Sequence, residues 1–463
     1  MCGIAGFTNF DCDLIVKKPF WETILTQMHE CLKHRGDDSH GIFLAPHAGL
    51  SHARLSIRDI KDGSQPMTRR IGSRSYTIVY NGEIYNTDEL LPELKMAGYT
   101  CTTTSDTEVL LYAYLHYGPA FVSRLNGIFA FAIWDDSANS LFLCRDRMGI
   151  KPLFYARRND FFLFGSEPKA LFCHPDCTPA INDNSLREIL GVGPARTPGN
   201  GVFSDVYEVL PGHTLTVTKE GIQDTCYWEL TSHVHEDDYQ KTVEKTSFLV
   251  RDAVRRQMVS DVSVCTFLSG GIDSSIVTAL ASNFMKEHGE ILNTFSFDFT
   301  ENDRYFQSNS FQPERDLPYV NIMLSRYHTH HTYLECDQKT LADALDLAVD
   351  AKDLPGMTDV DASLLYFCSL VKQHNKVALT GECADEIFGG YPWFYREELL
   401  NRDGFPWSAD ILARTPFLAP DVVKRLQLAE YSHARYEETL AKTPVLDGEN
   451  ETERRRRAVA YLN

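Results

Sequence analysis

Two patterns of hydrophobic and polar positions follow one another along this chain. Up to about residue 218, short runs rich in β-branched and aromatic residues alternate with turns, as in Ser75–Tyr80 and Ile128–Trp134. Helical stretches interrupt these runs near Trp21–Lys33 and Thr107–Tyr117. The mixture predicts packed antiparallel sheets with helices on the outside, an α+β sandwich.

From about residue 244, helices and strands alternate one by one. A helix at Glu244–Met258 precedes an apolar strand at Val262–Leu268, and a second helix begins at Ser274. Further strands are expected at Leu292–Phe299 and Lys376–Thr380. Strands that alternate with helices predict an α/β domain built on a parallel sheet.

A polar stretch at residues 219–243 separates the two patterns and is predicted to be a linker. The 463 residues are too many for one ordinary core. The predicted domains are therefore 2–218 and 244–463. The last residues read as the middle of a helix without a stop signal, so we expect a fragment or an early stop, with the second domain incomplete.

Composition and charge limit the classes of binding partner that we expect. The formal net charge is −19, which disfavours nucleic acid and anionic membrane surfaces. We see neither an apolar run of bilayer length nor a signal peptide. The 12 Cys include no CxxC pair, which argues against a structural zinc site. Reduced thiols in a cytoplasmic protein are the expectation.

The first candidate chemistry lies at the start of the chain. Removal of Met1 would leave Cys2 with both a thiol and a free α-amine. That amine has an ordinary pKa of about 7.7–8.0, so it can accept the thiol proton near neutral pH. On its own, however, a cysteine at position 2 reads equally well as an incidental small residue.

Three further segments supply groups that suit a cysteine nucleophile. Arg54 can hold a carboxylate with two parallel hydrogen bonds. Asn81 and Gly82 follow a strand and can form an oxyanion hole, although Asn-Gly is also a common hairpin turn. Asp106 can pair with an ammonium group or belong to a helix cap. Together these groups suit an α-amino acid whose side-chain amide is attacked.

The first domain resembles the class II glutamine amidotransferases in the order of its motifs. The matching segments are Met1–Gly6, His34–Asp38, Arg54–Ile57, Asn81–Asn86, Ser105–Glu108, Leu125–Ala130 and Arg145–Leu153. The resemblance implies an N-terminal-nucleophile sandwich in which Cys2 is the nucleophile. It further implies that Asn81 and Gly82 form the oxyanion hole. The residues that it assigns to glutamine binding are Arg54, Glu83 and Asp106. The stretches around Asn126 and Asp146 are assigned a structural role.

The second candidate chemistry lies in two loops that follow strands. The segment Ser269–Ser275, Ser-Gly-Gly-Ile-Asp-Ser-Ser, follows an apolar strand and opens a helix. Its glycines allow tight turns, and its hydroxyl and helix N-terminal groups can hold a pyrophosphate. Asp273 and, in the second loop, Asp385 are predicted Mg²⁺ ligands, and Glu382 could lie near a reacting carboxyl group. A plain glycine turn and an acidic surface loop are the alternatives.

These two loops resemble the adenylating domain of asparagine synthetases, which belong to the ATP pyrophosphatase group. The residues that the resemblance assigns to ATP are Leu268, Ser269, Gly270, Gly271, Asp273, Ser274, Ser275, Phe297, Thr380 and Gly381. The implied activity is glutamine-dependent asparagine synthesis from glutamine, aspartate and ATP with Mg²⁺. Alternatives are amidation of another adenylated carboxylate, an uncoupled glutaminase, or an inactive nucleotide-binding protein. The oligomeric state stays open, with a homodimer among the options.

Overall fold

The structure is a computed structural model, and it describes residues 1–308, 314–408 and 411–462. The chain divides into two compact units. The first comprises Met1–Ser185 and Arg196–Thr231, and the second comprises Leu186–Ala195 and the residues from Ser232 onwards.

The first unit is built mainly from antiparallel strands. These are β1 (Gly3–Asn9), β2 (Ser39–Leu44), β3 (Ala48–Arg54), β4 (Met67–Ile71), β5 (Arg74–Ile84), β6 (Gly127–Asp135), β7 (Ser140–Arg145), β8 (Phe154–Arg158), β9 (Phe161–Gly165), β10 (Val206–Glu208), β11 (His213–Thr218) and β12 (Gly221–Cys226). Its α-helices are α1 (Lys18–Leu32), α2 (Thr87–Met96), α3 (Asp106–Tyr117) and α4 (Pro168–Leu171), and α5 (Asp183–Arg187) leads out of it. Short 3₁₀ segments lie at Leu14–Lys17, Lys33–Arg35 and Pro119–Arg124.

Two six-stranded sheets form the centre of this unit. One has the order β10-β8-β9-β1-β3-β2, and the other has the order β12-β11-β7-β6-β5-β4. Apolar side chains of both sheets, such as Leu50, Val79 and Phe164, share one core. A second core joins α1 and α4 to the first sheet, and a third joins α2 and α3 to the second sheet. The predicted α+β sandwich is therefore confirmed, with helices on the outer faces.

Alternation along β5 shows how the sequence builds these layers. Side chains alternate between the two faces of a strand. Accordingly, Ile78 and Tyr80 pack with the helices outside, while Val79 packs between the sheets. The hydrophobic run of β5 is continuous because both of its faces are buried.

The range predicted as a linker, residues 219–243, contains regular structure. Within it, β12 pairs with β11 from Gly221 to Cys226 at the edge of the second sheet. A long helix of the second unit, Tyr239–Gln257, also begins inside this range. β12 has a polar sequence because it lies at an edge, where side chains remain in water. Residues 227–238 carry neither helix nor strand.

The second unit alternates helices and strands. Its strands are β13 (Val264–Phe267), β14 (Leu292–Phe299), β15 (Thr329–Cys336) and β16 (Val377–Leu379). Its α-helices are α6 (Tyr239–Gln257), α7 (Ile272–Glu287), α8 (Asn302–Tyr305), α9 (Leu317–Arg326), α10 (Gln338–Asp343), α11 (Leu345–Lys352), α12 (Thr358–Val371), α13 (Ala384–Phe388), α14 (Glu397–Leu400), α15 (Pro420–Leu426), α16 (Leu428–Lys442) and α17 (Glu451–Leu462). Further short helical segments are a π-helical turn at Glu188–Val192 and 3₁₀ turns at Pro392–Phe394, Pro406–Ser408 and Ile411–Phe417.

The four strands of the second unit form one parallel sheet in the order β15-β14-β13-β16. The predicted α/β architecture is therefore confirmed. The chain leaves β13 toward β14 on one side and later returns to place β16 on the other side. This reversal is a topological switch point, where a crevice opens at the carboxyl ends of the strands. Within the described residues, we find no helix with the length and apolar character needed to span a membrane.

Candidate active sites

The first unit contains an open cavity beside the start of β1 and the end of β3, with about 300 Å³ of empty space that includes its solvent-filled mouth. It is lined by Cys2, Arg54, Leu55, Ile57, Arg58, Gly63, Gln65, Tyr80, Gly82, Glu83, Ser105, Asp106 and Thr107. Two arginines and two carboxylates thus face one small space together with a thiol. Such a space can receive a ligand that carries charges of both signs.

Cys2 is placed by strand pairing and by two further contacts. β1 pairs with β3 so that Gly3 lies opposite Ala53, which brings Cys2 next to the end of β3. The Leu55 N–H donates to Cys2 Sγ over 3.4 Å, and the thiol lies 3.6 Å from the Leu55 carbonyl. Burial raises the pKa of the Cys2 thiol, and the Leu55 hydrogen bond opposes this effect. The thiol therefore needs a base in order to act as a nucleophile.

Arg35 holds the backbone of Cys2 from the other side. Its Nε donates to the Cys2 carbonyl over 3.0 Å, and its Nη1 lies 2.6 Å from Glu167 Oε1. His34 and Lys169 also contact the Glu167 carboxylate, over 3.0 and 3.1 Å. Burial alone would raise the pKa of Glu167, but the hydrogen bonds and charges of His34 and Arg35 lower it to about 2. Glu167 is thus a buried anion that fixes Arg35.

Asn81 and Gly82 lie inside a continuous strand, so the hairpin-turn alternative is wrong. They pair with Ala130 and Phe129 of β6. Gly82 lines the cavity, and a Cβ there would lie only 2.2 Å from the Ile128 carbonyl oxygen. Asn81 is not among the lining residues. Its side-chain amide is fully buried, and neither polar atom has a hydrogen-bond partner among the described residues. A buried, unsatisfied amide is costly unless a ligand completes it.

Arg54 lines the cavity but is also bound to its own loop. Its guanidinium donates to the carbonyl oxygens of Arg58, Asp59 and Ile60, over 3.1, 2.5 and 3.2 Å. A Cβ at Gly63 would lie 2.4 Å from Arg54 Nη2, so glycine lets the loop close around this side chain. The predicted carboxylate-binding residue is therefore held rigidly before any ligand arrives.

Asp106 opens α3 and lines the same cavity. Its Oδ2 accepts hydrogen bonds from the Tyr80 hydroxyl over 2.8 Å and from the Ile84 N–H over 3.0 Å. Burial raises the pKa of Asp106, and the nearby positive charge of Arg58 opposes this effect. The cap of α3 is Ser105, whose Oγ accepts from the Thr107 N–H. The cap alternative therefore applies to Ser105, while Asp106 faces the cavity.

Arg58 is a cavity residue that the sequence interpretation missed. It donates to the Ile84 carbonyl over 3.0 Å and to Thr87 Oγ1 over 3.3 Å. The sequence offered one signal for a role of Arg58 in the cavity, its position in the segment Arg54–Asp59. A second cation next to the assigned arginine is otherwise indistinguishable from a surface residue.

Lys151 is a second residue that the sequence interpretation missed. Its Nζ lies 2.9 Å from Met1 Sδ, and burial lowers its pKa to about 8. It follows the Asp146 stretch, which was assigned a structural role. The Asp146 carboxylate accepts backbone N–H groups of Phe129, Ile150 and Lys151 over 2.9 to 3.1 Å. This motif thus fixes a tight turn and at the same time places a buried amine near Cys2.

In the second unit, the two loops that were predicted to bind one nucleotide touch each other. β13 and β16 are neighbours, and the loops follow their carboxyl ends. A Cβ at Gly381 would lie 2.7 Å from the Ser274 nitrogen and 2.8 Å from Asp273 Cβ. Gly270 has φ +87°, and a Cβ there would lie 2.8 Å from the Asp316 carbonyl oxygen. Glycine is therefore required at both points of close approach.

The serines of the first loop hold its shape. Ser274 Oγ lies 3.0 Å from Ser269 Oγ and accepts from the Ser269 N–H over 3.2 Å. Gly271 caps α7, so the first N–H groups of a 16-residue helix point toward this loop. Oriented N–H groups at a helix N-terminus favour phosphate.

The predicted metal ligands lie one on each loop, close enough for their charges to interact. Burial and the negative charge of Asp273 raise the pKa of Asp385. A Cβ at Gly390 would lie 1.8 Å from Asp385 Oδ1, so this carboxylate is packed closely against the chain. Glu382 is exposed, and the hydroxyl of Tyr391 donates to the neighbouring Glu386 over 3.1 Å.

The two predicted adenine contacts differ in their surroundings. Leu268 is buried, and its N–H donates to the Phe295 carbonyl over 2.8 Å. Phe297 stacks on Phe367 with ring centroids 4.3 Å apart and contacts Phe267 edge-on at 4.9 Å. Phe297 is thus part of the core around β14, and only its partly exposed side is open to a ligand.

Comparison with known proteins agrees with this two-part arrangement. The model for a glutamine amidotransferase domain matches residues 1–228, and the asparagine synthase model matches residues 245–463. Asparagine synthetase [glutamine-hydrolyzing] 3 of Bacillus subtilis is 46% identical over 100% of this chain, which covers 75% of that protein. The chain belongs to the glutamine-hydrolysing asparagine synthetase family.

Two further relatives carry similar names. Asparagine synthetase [glutamine-hydrolyzing] 1 of Bacillus subtilis is 35% identical over 86% of this chain and 60% of its own length. A putative asparagine synthetase [glutamine-hydrolyzing] 2 of Methanocaldococcus jannaschii is 31% identical over 84% of this chain and 76% of its own length. Membership of this synthetase family confirms both resemblances inferred from the motifs.

Proposed function

We propose that this protein makes asparagine from aspartate with ATP, using glutamine as the nitrogen donor. The observation that carries the proposal is the cavity in which the Cys2 thiol shares one space with arginines and carboxylates. Glutamine carries an α-carboxylate and an α-ammonium as well as the reactive amide. Arg54 would bind the carboxylate, while Asp106 and Glu83 would bind the ammonium.

The glutaminase reaction follows from the position of Cys2. With Met1 removed, the α-amine of Cys2 takes the thiol proton, and the thiolate attacks the amide carbon. The oxygen of the resulting tetrahedral intermediate gains negative charge, which the Asn81 amide and the Gly82 N–H would stabilise. The protonated α-amine of Cys2 then gives this proton to the amide nitrogen, the C–N bond breaks, ammonia leaves, and a thioester remains on Cys2. Water hydrolyses the thioester to glutamate.

The second unit would activate aspartate with ATP. A β-carboxylate oxygen of aspartate attacks the α-phosphorus of ATP, which gives β-aspartyl-AMP and pyrophosphate. Ammonia then attacks the acyl carbon, and AMP leaves as asparagine forms. The loops Ser269–Ser275 and Thr380–Gly381 would hold the phosphates and border the nucleotide, with Leu268 and Phe297 on the adenine side.

Mg²⁺ fits the carboxylates of the two loops, because Asp273 lies close enough to add to the effect of burial in raising the pKa of Asp385. Carboxylate oxygens are the type of ligand that this ion prefers. Asp273 and Asp385 would hold it, and it would supply neutralisation of phosphate charge. Glu382 would lie near the reacting carboxyl group.

The remaining assignments are also proposals. We propose that the glutaminase domain contains residues 2–218 together with β12, and that the synthetase domain contains residues 244–463 together with the start of α6. We further propose a cytoplasmic location and no partner beyond small molecules, except a second copy in a homodimer. The net charge of −19 supports the exclusion of nucleic acid and anionic membranes.

A Cys2→Ala variant tests how the two activities divide. It should lose glutamine-dependent AMP formation and keep AMP formation with aspartate, ATP and ammonium salt. Gln223→Ala, at an exposed position on β12, is a matched control that should keep both. Glutamine use that survives Cys2→Ala would contradict the nucleophile assignment. Loss of the ammonia-dependent reaction in folded protein would contradict the division between units.

A further inference from the structure

Tyr80 contacts three different side chains through three different groups, and two of these side chains, Asp106 and Gln65, line the glutaminase cavity. Its hydroxyl donates to Asp106 Oδ2 over 2.8 Å, and its backbone N–H donates to Gln65 Oε1 over 2.7 Å. Its carbonyl lies 3.0 Å from His52 Nε2. Tyr80 is only 2% exposed, yet it lines the cavity. A residue with this set of partners can fix the relative positions of the groups around it.

His52 can act only as a donor in this contact. A carbonyl oxygen accepts hydrogen bonds and cannot donate, so Nε2 must carry the proton. Burial lowers the pKa of His52 to about 4, which keeps the ring neutral at physiological pH. The carbonyl group of the peptide between Tyr80 and Asn81 thus accepts a hydrogen bond from the neutral His52 ring. The strand that carries Asn81 and Gly82 is thereby tied to β3.

The hydroxyl of Tyr80 acts on a different group, the carboxylate of Asp106. Asp106 is buried, and burial favours its neutral form, which cannot pair with an ammonium ion. The charged groups and donors around its carboxylate are the Arg58 guanidinium, the Tyr80 hydroxyl and the N–H groups of Ile84 and Thr107, with the Glu83 carboxylate also close to Tyr80. Among these, the Tyr80 hydroxyl can be removed without changing a charge or the backbone.

We propose that Tyr80 is a positioning residue that orients Asp106 for the α-ammonium of glutamine and couples this site to the oxyanion strand. The proposal rests on the proposed function, because it presupposes that Asp106 binds the ammonium group. It adds a residue that supports Asp106 in selecting an α-amino acid.

The test compares L-glutamine with glutaramate, the same molecule without its α-amino group. Ammonia release gives kcat and KM for both substrates with the full chain. Tyr80→Phe removes one oxygen and keeps the ring in its hydrophobic cluster. Losing a hydrogen bond to an ionised group should lower kcat/KM for glutamine about tenfold, mainly through KM. kcat/KM for glutaramate should stay unchanged.

Tyr76→Phe is the matched control. Tyr76 lies on the same face of β5 and in the same hydrophobic cluster, but it does not line the cavity. It should leave the ratio of the two kcat/KM values unchanged. Because this ratio is measured within one preparation, a partly unfolded sample does not alter it.

Asp106→Asn separates failure of this proposal from failure of the proposed function. It should abolish the preference for glutamine, and adding Tyr80→Phe should then have no further effect. If Asp106→Asn keeps the preference, the ammonium assignment is wrong. If Asp106→Asn removes the preference but Tyr80→Phe lowers kcat/KM equally for both substrates, the positioning role of Tyr80 is wrong. The same holds if Tyr80→Phe changes kcat/KM for neither substrate.

Discussion

Replacing Glu167 by glutamine removes the buried anion that holds Arg35. Glu167 is 7% exposed and contacts Arg35 over 2.6 Å, and Arg35 in turn holds the Cys2 carbonyl. Glutamine has nearly the same shape but no charge. The variant therefore leaves a buried guanidinium without its counterion, which is destabilising.

The magnitude follows from the pKa of Glu167. Its folded-state value of about 2, against an ordinary 4.5, corresponds to a stabilisation of about 3 kcal/mol. Because the folded pKa is the lower one, this stabilisation is complete above pH 4.5 and is lost as the pH falls toward 2. We therefore expect Glu167→Gln to cost about 3 kcal/mol near neutral pH and about 2 kcal/mol near pH 3.5.

Urea unfolding of the full chain, followed by hydrogen exchange of peptides from β6, measures the stability of the first unit alone. Glu22→Gln is the matched control, since Glu22 forms an exposed pair with Lys18 over 3.6 Å on α1. Exposed pairs contribute little, so the control should change stability by less than about 0.5 kcal/mol at either pH.

Two outcomes would refute this reasoning. One is a loss in Glu167→Gln of less than about 1 kcal/mol near neutral pH. The other is a loss that does not shrink as the pH falls below the ordinary pKa of a glutamate. We also expect a lower kcat for glutamine hydrolysis in this variant, because Arg35 no longer fixes Cys2.

Three further predictions address the two sites. Asn81→Ala should lower kcat for glutamine about 100-fold or more with little change in KM, measured by ammonia release, because it removes an oxyanion donor; an unchanged kcat would contradict the assignment. Gly381→Ala should abolish aspartate-dependent AMP formation while glutaminase activity persists, since its Cβ would lie 2.7 Å from the Ser274 nitrogen; normal AMP formation would argue against contact between the loops. Asp385→Asn should remove Mg²⁺-dependent AMP formation. It should also stabilise the metal-free protein by up to about 0.5 kcal/mol in urea unfolding, because it relieves repulsion from Asp273. A destabilised variant would count against a shared cation site.

The elements and the layer architecture could be predicted because their signals are local. Periodicity placed Leu292–Phe299 at its observed bounds, and the helix start at Ser105 was visible in its capping sequence. The polar strand β12 could not be predicted in this way. Its polar residues are typical of a linker. They form a strand because their backbone pairs with that of β11.

The surroundings of the site residues were less accessible from sequence. The motifs predicted which residues would gather, and the cavity does bring Cys2, Arg54 and Asp106 together. The sequence could not reveal that the Arg54 guanidinium already binds three carbonyl oxygens of its own loop. Tyr80 was hidden for another reason. An aromatic residue in a buried strand reads as part of the core, and only its hydroxyl contact with Asp106 shows a second role.

Transfer of nitrogen from glutamine to aspartate is the central claim, and isotope labelling tests it most directly. The full chain would be incubated with aspartate, ATP, Mg²⁺ and glutamine that carries a heavy isotope in its amide nitrogen. We expect labelled asparagine and AMP in equal amounts. Labelled ammonia and glutamate without AMP would contradict the account, since the glutaminase would then work without a synthetase.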